Sequence, residues 1–338
     1  MSFKKIFGHV RPIGIIKNAI EMGKIPSAYL FSGIDGIGKK FLALTLAKAL
    51  NCKNKILDSC DGCISCKKID NNIHPDVKII EPEGNIIKIE QIRRLKKDLS
   101  YRPFEGEKKV LIINETEKMN HHAANSLLKT LEEPALDTLI ILITSQGHKL
   151  LPTITSRCQR IRFNSIPPDL IAQIVRDKLH IDDKRAHLLA SLSEGSIIKA
   201  LKMNNDVLLE YRKKLANNIS TFSLNRINQL FQFAEELNNQ KDILPDILEF
   251  FKTYFRDLLV IKEGLSGKKL INADLEKNLN AHSSKFSSKD LLSKIKTVND
   301  TQQMLMGNVN KRLALDAMLL RFTNAQKEVW EKLCAKQQ

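Results

Sequence analysis

The chain has no continuous apolar run of the ~18 residues that a bilayer-spanning helix needs, so no membrane crossing is expected. Its first residues, MSFKKIFGHVRPIGIIKNAI, lack the unbroken apolar core and small-residue cleavage site of a secretory leader. The scattered cysteines of a small disulfide scaffold are missing as well. Of six cysteines, Cys52, Cys60, Cys63 and Cys66 are clustered, whereas Cys158 and Cys334 stand alone. A tight cluster in a long chain without an export signal points to a metal site in a reducing cytoplasm. Internal repeats and long low-complexity tracts are absent too. With those classes set aside, 338 residues, 43% hydrophobic and 27% charged, read as an ordinary globular chain of two or three domains. The formal net charge of +16 suits contact with a polyanion such as nucleic acid, although a lysine-rich solvated surface would give the same value.

What is present begins with an apolar run, AYLFS (28–32), a glycine loop, GIDGIGKKF (33–41), and the helically spaced KKFLALTLAKAL. DVKIIEP (76–82), KKVLIIN (108–114), DTLIILITS (137–145) and QRIRF (159–163) read as further strands. Between them, KIEQIRRLKKDLS (88–100) carries Ile89, Ile92, Leu95 and Leu99 on one helical face, and NHHAANSLLKTLEEP (120–134) is a helix closed by Pro134. Strands alternating with helices imply right-handed crossovers and a mainly parallel sheet covered on both faces. After NSIPPD (164–169) the pattern becomes helical throughout. One set spans 168–203. Candidate helices follow near 207–218, 225–238, 242–263, 287–306 and 310–322, with 263–278 a loop of partial helix.

Four stretches carry chemistry. Gly33, Gly38 and Lys39, with Gly36 between them, fit G-x-x-x-x-G-K-[ST] except at the last position, which is Lys40. Such a loop points backbone N–H groups at phosphate oxygens, and the lysine reaches the outer phosphates. The missing hydroxyl would bind Mg²⁺; an ammonium has no lone pair to offer. A plain glycine turn between strand and helix is the alternative. In KVLIINETEKMN the strand ends in Asn114 and Glu115, where phosphate-loop ATPases hold Mg²⁺ with an acid; Asn114 lacks the charge, and Glu115 is left as a candidate to orient water or merely as a strand end. Cys52-x7-Cys60-x2-Cys63-x2-Cys66 can close a tetrahedral thiolate site, which favours a structural Zn²⁺, with reduced thiols or an iron–sulfur cluster as alternatives. In LLPTITSRCQRIRF (150–163), Arg157 precedes the last strand, where it can face a neighbouring subunit's phosphoryl group or form a surface salt bridge.

HPDVKIIEPEGNIIKIEQIRRL, AANSLLKTLEEP, LLPTITSRCQRIRF and the four-cysteine insert together resemble the bacterial clamp-loader AAA+ subunits, gamma/tau and delta-prime of DNA polymerase III. The likeness is strong over 3–205 and weaker over 207–323, where NVNKRLALDAMLLRF (308–322) is similar to the end of the family's helical collar. It implies an AAA+ nucleotide-binding-like domain (1–165) with the cysteine insert at 52–66, a helical lid (166–206) and a helical collar for oligomerisation (207–338). It also implies a cytoplasmic hetero-pentameric ring with gamma/tau and delta subunits. That ring loads a sliding clamp on primed DNA as part of the polymerase holoenzyme. Lys40, Asn114, Ile198 in place of the lid's nucleotide-sensing arginine, Ser27 in place of a frequent histidine, and the absence of tau's extra domains resemble delta-prime. The implied role is a ring member without independent catalysis, binding ATP or ADP weakly or not at all, that donates Arg157 in trans. An ATP-hydrolysing gamma/tau-type motor and a zinc-containing DNA-binding protein on an inactive AAA+ fold are the alternatives.

Overall fold

A computed structural model describes residues 2–54, 57–99, 101–219, 226–240, 242–265, 270–305, 307 and 309–323. Cys334 and residues 324–338 of the expected collar lie outside the described residues. The chain divides into two compact units. One comprises Met1–His180 with Gly195–Lys199, the other Ile181–Glu194 with Ala200–Gln338.

The first unit is built on five strands, β1 (Ala28–Ser32), β2 (Val77–Ile80), β3 (Lys109–Ile113), β4 (Thr138–Thr144) and β5 (Gln159–Arg162). Every pairing is parallel and the spatial order is β2-β3-β4-β1-β5. The three inner strands are apolar at nearly every position because both faces are covered, and strand periodicity sorts their side chains. Tyr29, Phe31, Val110, Ile112, Leu139, Ile141 and Ile143 enter one core; Ala28, Leu30, Leu111, Ile113, Ile140 and Leu142 enter the other. The first core is shared with helices α1 (Val10–Glu21), α2 (Lys39–Asn51) and α3 (Ile64–Asp70), through Ile16, Leu42, Leu46 and Ile69. The second is shared with α4 (Ile89–Leu99), α5 (His121–Glu132) and the short α6 (Pro152–Thr155). The expected face of α4 is the inward one: Ile92, Leu95 and Leu99 are buried, and Arg93 and Arg94 are exposed. α1, α3 and α6 go beyond the sequence reading. α7 (Pro168–Leu179) completes the continuous part of this unit.

Beyond it the chain is helical, as expected: α8 (Asp183–Leu192), α9 (Ile197–Lys202), α10 (Asp206–Asn218), α11 (Ile227–Asn239), α12 (Leu244–Lys262), α13 (Glu276–Ser283), α14 (Ser288–Leu305) and α15 (Lys311–Phe322). The core of the second unit is aromatic. Phe251 stacks on Phe255, and Phe322 meets both rings edge-on at 5.5 and 5.1 Å. Buried Lys294 donates to the Phe322 carbonyl, and burial pulls its ammonium down to about 8. Among the described residues, no helix is long and apolar enough to cross a membrane.

A polar clamp fixes the approach to β3. Buried Asp76 accepts from the backbone N–H groups of Phe104 (2.7 Å), Glu105 (2.9 Å) and Gly106 (2.8 Å). Asn51 Oδ1 accepts from the next two, Glu107 and Lys108 (2.9 and 3.0 Å). The HPD stretch thus holds a loop in place. Burial alone would raise the Asp76 carboxyl, but the three amides outweigh it and hold the pKa below the usual value. Asp76→Ala should cost about 3 kcal/mol in urea unfolding, because it strands buried donors. The folded pKa is depressed, so this contribution is complete above about pH 4 and is lost as pH falls through the folded value. The difference between wild type and variant should shrink over that acid range.

Candidate functional site

The C-terminal ends of β1, β3 and β4 gather the phosphate-loop residues. Gly33 follows β1 so closely that a Cβ there would lie 2.5 Å from the Phe163 carbonyl oxygen. Gly36 has φ +74°, and a Cβ would meet Ser196 Oγ at 2.3 Å. The loop tip is therefore roofed by segment 195–199, and Ile198 N–H donates to Gly36 O (3.2 Å). Lys39 does not extend over an open cradle. Its ammonium is buried and donates to the carbonyls of Gly33 (2.7 Å) and Ile34 (2.6 Å). Burial lowers its pKa, against the opposing fields of Asp35 and Glu117. Gly38 starts α2 in a left-handed conformation.

Lys40 turns away from the loop and pairs with Glu81, just beyond β2, at 2.8 Å. Asn114 extends the ladder, its N–H donating to Ile80 O (2.9 Å). Glu115 begins a 3-10 turn at φ +51° and pairs with Lys118. Besides Asp35, the carboxylate whose field reaches Lys39 is not Glu115 but Glu117, two residues on. Glu117 Oε1 accepts from the Ser145 hydroxyl (2.5 Å) and amide (3.1 Å) at the end of β4. Burial would raise the Glu117 carboxyl, but the Ser145 donors outweigh it and keep the pKa low. Neither Glu117 nor Glu81 was legible as a partner of the loop. Each comes from a different strand end, and only the alternation of KVLIINETEKMN with DTLIILITS hinted that those ends converge.

Arg157 lies just after α6. Its Nη1 donates to Thr153 O (2.8 Å), and Nη2 pairs with Glu132 Oε1 of α5 at 2.6 Å, both side chains remaining partly exposed. Adjacent Cys158 is buried, and burial pushes its thiol up to about 11, so it is neutral and unreactive.

The four clustered cysteines do meet. Their sulfurs all lie within 4.8 Å of one another. A tetrahedral ion with ~2.3 Å bonds to sulfur needs them ~3.8 Å apart. Cys60 and Cys63 Sγ accept the amides of Cys63 (3.3 Å) and Cys66 (3.4 Å), the latter capping α3. The donor set, spacing and amide bonds fit a metal ion with no position left open for chemistry. The insert is tied down by buried Lys48 of α2, which bonds Asp61 (2.6 Å) and Asp70 (2.7 Å). The two carboxylates outweigh burial and raise its pKa.

The ordered sheet, glycine loop and helix-rich remainder define a phosphate-loop protein of the AAA+ type. The family model described as DNA polymerase III, delta subunit, matches residues 8–167, and that of the delta subunit's C-terminal part matches 206–324. The DNA polymerase III subunit delta' of Bacillus subtilis is 32% identical over 92% of this chain and 94% of its own length. The subunit tau of the same organism is 28% identical over 94% of this chain but 61% of its own length. A solved DNA polymerase III gamma-subunit-related protein from Thermotoga maritima aligns over 93% of this chain and 99% of that one, 20% identical, with TM-score 0.46. The chain belongs to the DNA polymerase III clamp-loader family, to the delta-prime subunits within it.

The purified chain should retain about one metal ion per molecule by elemental analysis. Cys66→Ser should abolish that stoichiometry and lower the melting midpoint by about 5 °C.

Proposed function

We propose that this chain is the non-hydrolysing member of a clamp-loader ring and acts by lending Arg157 to a neighbour's nucleotide site. The observation that carries this reading is how the loop's cations are used. Lys39 is bonded to the loop's own carbonyls, and Lys40, at the metal-binding hydroxyl's position, is bonded to Glu81. Asn114 offers no charge to an ion. Mg²⁺ is the usual partner of a transferred phosphoryl group, and the loop supplies neither of its customary ligands. Gly33, Gly36, Gly38 and Lys39 remain as a cradle for ATP or ADP bound weakly, without turnover.

On this reading residues 1–165 are the nucleotide-binding-like domain, 166–206 the lid and 207–338 the collar that joins the ring. The partners are gamma/tau and delta subunits, with the sliding clamp and primed DNA reached through the complex in the cytoplasm. The ion at Cys52, Cys60, Cys63 and Cys66 is Zn²⁺, favoured by four thiolates; when bound it cross-links the insert and takes no part in chemistry. Glu115, paired with Lys118, has no substrate of its own to serve.

In a reconstituted loader, Arg157→Ala should cut DNA-stimulated ATP hydrolysis at the neighbouring site by an order of magnitude or more, with ring assembly unchanged by sedimentation. Lys39→Met should leave the rate unaltered. Mg²⁺-dependent turnover by the chain alone, abolished by Lys39→Met, would instead mark a motor subunit.

A further inference from the structure

The cysteine insert is fastened in two ways, and only one of them involves sulfur. The polar ties are spread along the insert. Phe3 N–H donates to Asp58 Oδ1 (3.0 Å), and Lys48 bonds Asp61 and Asp70. Lys53 Nζ donates to Glu105 O (3.0 Å), and Lys68 of α3 pairs with the Glu105 carboxylate at 2.6 Å. The sulfurs divide by access. Cys52 and Cys66 are buried, whereas Cys60 and Cys63 are partly exposed. Cys60 Sγ lies 4.0 Å from Cys66 Sγ, within a cluster where every pair is under 4.8 Å. An accessible sulfur thus sits against a buried one.

We propose that the cluster is a reversible thiol–disulfide switch: hydrogen peroxide oxidises Cys60, Cys66 closes the disulfide, and the metal ion is given up. The inference rests on the reading that the cluster holds an ion as thiolates. It needs no open position on that ion, because the sulfur itself is the nucleophile. The Cys60 thiolate attacks one peroxide oxygen; an S–O bond forms, the O–O bond breaks, and hydroxide leaves. The Cys66 thiolate then attacks the Cys60 sulfur, an S–S bond forms, and a second hydroxide leaves. Two electrons pass from the sulfurs to the peroxide, which with two protons from solvent ends as two waters. Cys63 is the poorer candidate for attack, since its sulfur caps α3 and a disulfide would forfeit that cap. Cys52 and Cys63 alone do not close a tetrahedral site. The polar ties survive oxidation, so the sulfurs stay together and a dithiol restores the set. A disulfide of this kind suits a reducing compartment, where such bonds are transient and redox-sensing. Cys52 follows the last residue of α2, so the switch loosens the far end of the helix that leaves the phosphate loop.

The test uses the full chain carrying Cys334→Ser, its metal content measured first by elemental analysis. Hydrogen peroxide is added in steps, release of the ion is followed with a chromophoric chelator, and non-reducing peptide mapping locates the disulfide. About one equivalent of peroxide consumed should release one ion, with Cys60 joined to Cys66 and Cys158 unmodified. Dithiothreitol with added Zn²⁺ should restore the starting content. Cys60→His keeps a metal ligand but removes the sulfur, and should slow release about tenfold or more; Cys52→His should change it by less than about twofold. If neither histidine variant holds an ion, trapping of the oxidised sulfur by dimedone in the Cys334→Ser chain reads the same step. Label on Cys60 supports the proposal, and label on Cys63 or Cys158 overturns it. Retention of the ion after peroxide is consumed, a disulfide between other cysteines, or content that dithiothreitol does not restore would overturn it too. A chain that purifies without an ion would remove the metal reading instead. The map then decides the switch by itself: a reversible Cys60–Cys66 disulfide sustains it, and the absence of one sinks it.

Discussion

A buried ammonium must find acceptors, and Lys39 finds them in its own loop. Removing a charge from water without partners costs several kcal/mol, so the Gly33 and Ile34 carbonyls do for this lysine what phosphate oxygens do elsewhere. The rest of the site follows from that closure. With Lys39 folded inward, the loop tip is free to take the Ile198 amide on Gly36 O. The glycines that make the motif recognisable are also required by packing. Phe163 crowds Gly33 and Ser196 crowds Gly36, so neither position admits a side chain. A loop can thus keep its glycine signature with Lys40 and Asn114 at the two other motif positions, because packing requires the glycines in its own right.

That distinction bears on what the sequence discloses. The parallel sheet was legible because strands buried on both faces must be apolar throughout, and 109–113 and 138–144 are almost entirely so. α4 was legible because Ile92, Leu95 and Leu99 recur at helical spacing. α1 was not read, although Ile16 is buried and Ile13, Ile15 and Ile20 pack against the same core, because Pro12 and Gly14 interrupt its sequence. α3 was hidden inside the cysteine spacing, where its N-cap is Cys63 itself. The four sulfurs could be grouped from spacing because local turns bring them together. Glu81, Glu117 and Glu132 could not be assigned, since their partners Lys40, Ser145 and Arg157 lie 41, 28 and 25 residues away and meet them only through the sheet's register and the packing on it.

The cysteine insert shows the same division between holding and reacting. Lys48, wholly buried, is clasped by Asp61 and Asp70, and Lys5 reaches Asp61 at 3.1 Å. Removing both acids would leave a charge stranded against α2, the penalty that makes buried pairs costly to break. The insert is therefore anchored to the helix that follows the phosphate loop, by polar bonds on one side and by the sulfur cluster on the other.

The two cations assigned functional roles differ in what it costs to move them. Lys39 is buried, and pulling it from its carbonyls would leave acceptors unpaired in the loop. Arg157 is about one-third exposed, and its partner Glu132 about one-half. Exposed pairs of this kind contribute only ~0–1 kcal/mol because water and salt screen them. If Arg157 acts in trans as proposed, a phosphate group could take the guanidinium from Glu132 at little expense, with the bond to Thr153 O retained. Glu132 holds the arginine without trapping it. On the proposed reading, the difference in burial between the two side chains is what would let one chain carry a locked site of its own and a ready group for a neighbour's.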